Sequence, residues 1–481
     1  MKNDNKSINL SMLADYYEFT MANGYIANGV ENTEAVFDMF FRKVPDNGGF
    51  AIAAGLEQVI EYIENLKFTD DDIEYFKSKK IFSEEFLDFL KNFKFTSDVW
   101  AVEEGTPVFP QEPIIIVKGP VKEAQIMETM ILLTINYQSL IATKASRIVR
   151  VAKGRAISEF GSRRAQASEA AILGARAAYI GGAKATANTI TDKFFGVPAT
   201  GTMAHSWVQM YDTELEAFRA YAKVYPDSCV LLVDTYNTLE EGIPNAIKVF
   251  DELRANGHEG VGIRIDSGDL AYLSKKARKM LDEAGYPEVK IMVSNSLDEY
   301  VIKDLLGQGA QIDGFGVGER LITSRSEPVF GGVYKLVSTF KDGKEIYKIK
   351  ISGDVEKITT PGFKKLFRLY DNETGKALAD LVTTHDEEID FTKEIEIFHP
   401  LYTWKKKTLT NYTAVPLLKK IFDKGKLVYN KKTIDEVQKY SLEEVDKLWD
   451  EVKRLENPHE YYVDLSKKLW TIKNDMLNKK H

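Results

Sequence analysis

The run Arg264-Ile265-Asp266-Ser267-Gly268-Asp269-Leu270 ends an apolar stretch with two carboxylates placed around a Ser-Gly turn. Such a set can hold a sugar diol, or orient Mg2+ on a pyrophosphate, while the glycine lets backbone approach a ligand closely. The same residues also make an ordinary strand-to-helix turn capped by Asp or Ser. Gly314-Phe315-Gly316-Val317-Gly318-Glu319-Arg320 is a glycine-rich turn. Its backbone N–H groups are suited to phosphate where a helix begins, or it is simply a tight connection. In Glu159-Phe160-Gly161-Ser162-Arg163-Arg164 an aromatic ring precedes two guanidiniums. Phe160 can stack on a flat ring, and Arg163 can fork onto a carboxylate or phosphate. Read instead as the first turn of a helix, the two cations oppose the helix dipole, which favours a ligand role. His205 is the only one of six histidines inside a glycine-bracketed motif of this region, Gly196 to Ser206. A neutral imidazole there can serve as base, phosphoryl acceptor or hydrogen-bond donor, or be purely structural. No His/Cys/Asp cluster has zinc spacing and no Gly-x4-Gly-Lys-Ser/Thr loop occurs, which removes zinc-enzyme and P-loop readings.

These residues share one kind of position. From about Glu128 to Leu336, short β-rich runs alternate with helical stretches, and the runs end in small or polar residues. Candidate strands are residues 156–160, 230–233, 261–265, 290–293 and 312–316. Repeated βα units bury parallel strands on both faces and gather ligand groups at the C-terminal strand ends, in a closed barrel or an open sheet. Before this region, residues 1–127 read as an α+β domain, with strands at 35–41 and 113–117 and one-faced helices at 55–63 and 83–93. After it, residues 341–481 read as an appended α+β region, including a helix over 441–455 with Leu442, Val445, Leu448, Trp449 and Val452 on one stripe. The fold class expected is α/β, with residues 128–340 as the catalytic core.

Composition narrows the partners. A net charge of −8, from 64 basic and 72 acidic side chains, argues against nucleic acid while leaving room for a local basic pocket. No apolar run approaches the roughly 20 residues of a membrane span. The polar opening stretch lacks the apolar core of a secretory signal, so a cytoplasmic location is expected. The single cysteine, Cys229, lies in an apolar run and reads as a small buried hydrophobe.

Taken in order, the motifs from Leu13-Ala14-Asp15-Tyr16-Tyr17-Glu18-Phe19-Thr20-Met21 through Gly331-Gly332-Val333-Tyr334-Lys335-Leu336 resemble the nicotinate phosphoribosyltransferases, a type II phosphoribosyltransferase family. The resemblance implies an irregular α/β barrel of parallel strands beside an α+β domain, assembled as a homodimer with shared active sites. It implies that Tyr17 covers the nicotinate ring across the dimer with Phe160 on the other face, and that Arg163 meets the nicotinate carboxylate. Arg264 and Asp266 become ribose and phosphate contacts, with Ser267 and Gly268 beside them, and Gly316 and Gly318 receive the 5′-phosphate. Asp234, Thr235 and Asn237 line the pyrophosphate and Mg2+ side, with Asp234 as a metal ligand. His205 becomes a phosphoryl acceptor that couples ATP hydrolysis to nucleotide formation. Glu319 stands where many relatives have a small residue, so only the glycines of that turn carry over. Residues 184–188, with Thr186 counted among the substrate contacts, lack the aspartate that nicotinamide-using relatives present, and an ionised carboxylate there would repel nicotinate. The alternatives are an amide-specific nicotinamide enzyme and an inactive regulatory relative. A phosphate-binding aldolase or isomerase barrel lacks its catalytic lysine or acid/base pair at these strand ends.

Overall fold

The apolar runs between residues 156 and 317 become parallel strands: β1 (Ala156–Glu159), β2 (Ala185–Thr186), β3 (Val230–Leu232), β4 (Gly262–Ile265), β5 (Lys290–Ser294) and β6 (Gly314–Val317). They pair side by side in the order β2-β1-β6-β5-β4-β3, every pair parallel. In this computed structural model, which describes residues 9–479, no pairing of β2 with β3 closes the ladder among the described residues. The first eight residues of the polar opening stretch, and His481, lie outside that range.

The strand cores are apolar without alternation because helices cover the sheet. Ile157, Leu231, Ile263, Ile265, Ile291, Val293, Phe315 and Val317 are all buried. Between strands run α1 (Ile243–Ala255), α2 (Leu270–Glu283) and α3 (Glu299–Gly307). α2 begins at Asp269, whose side chain accepts from Tyr272 N at 2.9 Å, and it buries Leu270, Ser274, Ala277 and Leu281 on one stripe. Because the strands are parallel, the residues that follow β1, β3, β4, β5 and β6 all leave the sheet at the same edge. That edge is where the expected site residues sit.

The chain divides into two compact units, one of Ile141–Pro328 and one of the residues up to Leu140 together with those from Val329 onward. Contacts thus join the two flanking spans of the sequence into one unit. In the second unit, Glu34–Phe41 pairs with Ile115–Pro120 and with Gly332–Lys341, and Asp98–Val102 pairs with Leu418–Asp423, all antiparallel in one seven-stranded sheet. Strands from both ends of the sequence thus share a sheet, a long-range pairing that local pattern does not encode. The expected helix over 441–455 is also corrected. A helix covers Ile434–Asp446, started by a Thr433–Glu436 capping box, and ends before Leu448 and Val452, which are buried from the turns that follow. Leu442 and Trp449 stay exposed. No helix among the described residues is long and apolar enough to cross a membrane.

One buried charge cluster in the second unit gives a pH prediction. Arg368 donates to Asp380 through Nε at 2.8 Å and Nη2 at 2.6 Å, and Tyr461 donates to the same carboxylate at 2.9 Å. Glu112, fully buried, faces this carboxylate. Burial and the charge of Asp380 push its pKa well above the ordinary carboxyl value, against the opposing pull of Arg368. Since the folded value is the higher one, the stability this group supplies is present at low pH and is lost as pH rises from the unfolded toward the folded pKa. Glu112→Gln, which keeps the shape and cannot titrate, is expected to flatten the fall of Tm as pH rises above the ordinary carboxyl range; an unchanged slope in thermal melts would show that Glu112 does not bind its proton in the fold.

Candidate active site

At the end of β1, Glu159 turns its side chain inward and is fully buried. One carboxylate oxygen accepts from the backbone N of Gly161, and the other accepts from Thr186 Oγ1 at 2.7 Å. Burial raises its pKa against these hydrogen bonds. Between the two anchored positions, Phe160 N donates to Val317 O at 2.8 Å, which continues the β1–β6 pairing one residue further. The ring of Phe160 then lies over β6 where Gly316 has no side chain: a Cβ built there would stand 2.4 Å from Phe160 Cδ2. Gly161 is equally constrained, since its Cβ would stand 2.6 Å from Cβ of Ile322. The next residues, Ser162–Arg164, form a single 3-10 turn, and the helix proper begins only at Ser168. Arg163 and Arg164 are exposed, and among the described residues Arg163 makes no hydrogen bond or ion pair.

The ends of β3, β4 and β5 are joined by side chains. Asp234, just past β3, accepts through Oδ2 from Asp266 N at 2.8 Å and Ser267 Oγ at 2.7 Å, while its Oδ1 is buried without a partner. Asp266, just past β4, accepts from the hydroxyl of Ser294 at the end of β5. Arg264 reaches from β4 to the 196–206 loop, donating to Thr202 Oγ1 at 2.8 Å and Met203 O at 2.9 Å. Burial lowers its pKa, opposed by Asp266 and Asp234. His205 opens a short helix and shares a hydrogen bond with Thr235 Oγ1 through Nδ1 at 3.1 Å, which leaves Nε2 for other chemistry. Asn237 caps the turn after β3, accepting from Glu240 N at 3.1 Å.

These edges enclose a cleft of about 370 Å3. Seven of the residues singled out from sequence line it: Phe160, Arg163, His205, Arg264, Asp266, Gly316 and Gly318. Four others do not. Thr186 is buried, spending its hydroxyl on Glu159 and on Asn188 N, so it supports the wall. Asp234 fixes the backbone of the Asp266 turn, and Ser267 and Gly268 lie beyond the lining. Asp269 is a helix cap, as the plainer reading had it. Tyr17 belongs to the other unit, in the helix Tyr16–Ala27, 43% exposed, with burial and the carboxylate of Glu128 pushing its pKa up.

Sequence reasoning missed Ser294, Asn295, Ser296 and Leu297, which also line the cleft; Asn295 and Ser296 are in the left-handed region at φ 84° and 53°. The signal was a Ser-Asn-Ser triplet at a strand end, in line with the motifs that were noticed. Arg320 stood in the glycine-rich turn with no role assigned, and Arg325 was missed; both line the cleft. Arg320 pairs with Asp298 at 2.5 Å, and Asp298 caps α3 by accepting from Tyr300 N and Val301 N. In all, the guanidiniums of Arg163, Arg164, Arg264, Arg320 and Arg325 face the carboxylates of Asp266 and Glu319. The cleft is cationic inside an acidic protein, which selects an anionic ligand. Among the described residues no three His, Cys, Asp or Glu side chains are grouped to hold a metal ion by themselves.

Comparison with known proteins agrees along the whole chain. Residues 12–136 match the nicotinate phosphoribosyltransferase N-terminal domain, 155–360 the nicotinate phosphoribosyltransferase family, and 363–473 its C-terminal domain. The chain is 48% identical to the nicotinate phosphoribosyltransferase of Bacillus subtilis, covering 97% of this chain and 95% of that one. It is 38% identical to a nicotinate phosphoribosyltransferase of Mycobacterium tuberculosis, covering 95% and 92%. Among solved structures, human nicotinic acid phosphoribosyltransferase superposes with a TM-score of 0.85 at 28% identity, covering 96% of this chain and 99% of that one.

The packing of Phe160 on Gly316 is directly testable. Gly316→Ala is expected to destabilise the protein by about 1–3 kcal/mol through overpacking. In a Phe160→Ala background the same change should cost under about 0.5 kcal/mol, because the clashing ring is gone. Equal costs in both backgrounds, measured by chemical denaturation, would place the constraint elsewhere.

Proposed function

The chain belongs to the nicotinate phosphoribosyltransferase family, and we propose that the cleft at the strand ends is where it joins nicotinate to phosphoribosyl pyrophosphate, giving nicotinate mononucleotide and pyrophosphate. The observation that carries this assignment of roles is the convergence of Phe160, Arg163, Arg264, Asp266 and the two glycines on one cationic cleft. Phe160 forms a flat wall for the pyridine ring. Arg163, exposed and without a partner among the described residues, meets the ring's carboxylate. No carboxylate stands among residues 184–188, so nothing there repels an acid substrate.

The reaction breaks the bond between the anomeric carbon and pyrophosphate and forms one from that carbon to the pyridine nitrogen. The nitrogen already has a free lone pair, so no general base is needed; catalysis comes from holding it in line and stabilising the departing charge. Asp266, fixed by Ser294 and by its backbone bond to Asp234, holds the ribose at the centre where positive charge develops. Arg264 and its neighbours hold the phosphates, and the turn at Gly316 and Gly318 takes the 5′-phosphate. The residues fit Mg2+ brought in with substrate, since that ion needs only one or two carboxylates besides substrate phosphates and water. Asp266 would hold it from the lining, with the unpartnered carboxylate oxygen of Asp234 behind that turn, and when bound it would neutralise leaving-group charge.

His205 is proposed as the site where ATP is spent. Its Nε2 lone pair attacks the γ-phosphorus, the bond to ADP breaks, and water later cleaves the phosphohistidine to phosphate. A phosphoryl group next to the pyrophosphate region changes affinity during turnover and so drives nucleotide formation further. Tyr17 is proposed to close the ring pocket from a second subunit, and a cytoplasmic location accords with the lone cysteine.

Three outcomes check these roles. Arg163→Ala is expected to raise KM for nicotinate by about 10- to 100-fold, the worth of a charge-assisted hydrogen bond, with little change for nicotinamide; equal effects on both substrates would contradict the carboxylate contact. His205→Ala is expected to keep basal nucleotide synthesis while losing all stimulation by ATP, read from the product-to-substrate ratio; retained stimulation would remove the phosphoryl role. Co-refolding Tyr17→Ala with Arg163→Ala subunits should restore about a quarter of wild-type activity at low nicotinate, as expected for sites shared across a two-fold dimer, whereas no recovery would assign Tyr17 to its own subunit's site.

A further inference from the structure

A second cavity, of about 420 Å3, lies in the unit that lacks the parallel sheet and plays no part in the reading above. Its wall is the hairpin of Ile395–Phe398 with Lys406–Leu409, closed by the segment 459–464. Three consecutive lysines, Lys405, Lys406 and Lys407, line it, and they are not equivalent. Lys406 is paired with Glu396 at 2.9 Å. Lys405 lies over the ring of Tyr402, 4.8 Å from its centroid. Among the described residues Lys405 and Lys407 make no ion pair within 4.0 Å, though the charge of Lys407 reaches Asp371 and lowers its pKa, and both lysines are exposed.

The opposite wall carries a group with the reverse need. Asp464 is 2% exposed and lines the cavity, yet its Oδ1 has no hydrogen-bond partner. A buried carboxylate oxygen without a donor is costly, so the site lacks an N–H or O–H at that point. The two histidines are fixed in ways that add hydrogen-bonding capacity rather than metal affinity. His399 Nδ1 accepts from Leu401 N at 3.1 Å and Tyr402 N at 3.0 Å, which places its proton on Nε2, 3.9 Å from the exposed carboxylate of Glu460. His459 Nδ1 donates to Glu460 O at 2.7 Å. A metal does not match this wall: three ammonium groups repel it, and no suitable group of three ligands exists among the described residues.

We propose that this cavity binds a phosphorylated ribose, free or as a nucleoside monophosphate, with the phosphate on Lys405 and Lys407 and a hydroxyl donating to Asp464. Phosphate supplies the anion the lysines lack, and the sugar hydroxyl supplies the donor the carboxylate lacks. The volume is that of an ordinary small-ligand pocket.

The test is calorimetric titration of the full chain with ribose 5-phosphate, AMP and inorganic phosphate. Ribose 5-phosphate is expected to fill two sites per chain in the wild type, one of them the catalytic cleft. Lys405→Gln/Lys407→Gln, at exposed positions, should remove one site or weaken it at least about ten-fold while kcat stays unchanged. Asp464→Asn should weaken ribose 5-phosphate at the second site and leave inorganic phosphate there unaffected, a distinction that a purely structural role would not produce. AMP binding more tightly than ribose 5-phosphate would identify the nucleotide as the occupant, and equal affinity the sugar phosphate. A single site in the wild type, or two sites in the lysine variant, would overturn the proposal.

Discussion

Burying a carboxylate with no cation beside it is costly, and Glu159 is worth that cost because two strands and a ligand wall depend on it. Its oxygens take the Gly161 N–H on one side and the Thr186 hydroxyl on the other, so the ends of β1 and β2 are held at a fixed spacing. That spacing places Phe160 over the bare backbone of Gly316. An alanine at 316 would move the ring, and loss of the Glu159 acceptor would release the turn that carries Arg163. A flat aromatic wall, an adjacent guanidinium and the glycine turn are therefore one arrangement, set by one acid that never touches the cleft.

The arginines divide by what holds them. Arg264 is tied to Thr202 and Met203, and Arg320 to Asp298, which itself caps α3. Arg325 has only a loose exposed pairing with Glu319 at 3.4 Å, worth little in water, and Arg163 has no partner among the described residues. Fixed guanidiniums lose little entropy when an anion binds, whereas a free one gives more freedom up but recognises whatever charge arrives. The fixed arginines suit the phosphates, constant in every turnover, and the free one suits the carboxylate that distinguishes nicotinate from its amide.

Much of this was legible in the residues. The βα rhythm located five of the six parallel strands, because a strand buried on both faces reads as a continuous apolar run, and the residues after four of those runs, at the ends of β1, β4, β5 and β6, proved to line the cleft. β2 escaped because two residues carry no period. Ser294 to Ser296 escaped although they end a strand that was seen, since serine and asparagine are as common in plain turns as in sites. Residue type also failed to reveal direction. Asp234 and Thr186 have the chemistry of ligand contacts, but their side chains turn onto neighbouring backbone and carboxylate. The partition into units was hidden for another reason: strand pairing between residues 98–102 and 418–423 joins segments over three hundred positions apart, and nothing local announces it.

A wall of arginines suits the two anionic ends of phosphoribosyl pyrophosphate, yet the carbon between them becomes positive as the leaving group departs, and five guanidiniums alone would oppose that step. Asp266 answers the problem. It is the carboxylate in the lining that is locked by two neighbouring strand ends, through Ser294 and through the bond from its own N–H to Asp234. Glu319, the other acid of the lining, is half engaged by Arg325. A preorganised negative charge stabilises a developing positive one without rearranging during the reaction, which is where electrostatic catalysis gains over water. On the proposed placement the cleft alternates in sign along the substrate, cationic at both phosphates and anionic at the sugar. The parallel sheet makes such alternation possible because adjacent strands deliver residues of opposite charge to neighbouring points on the same edge.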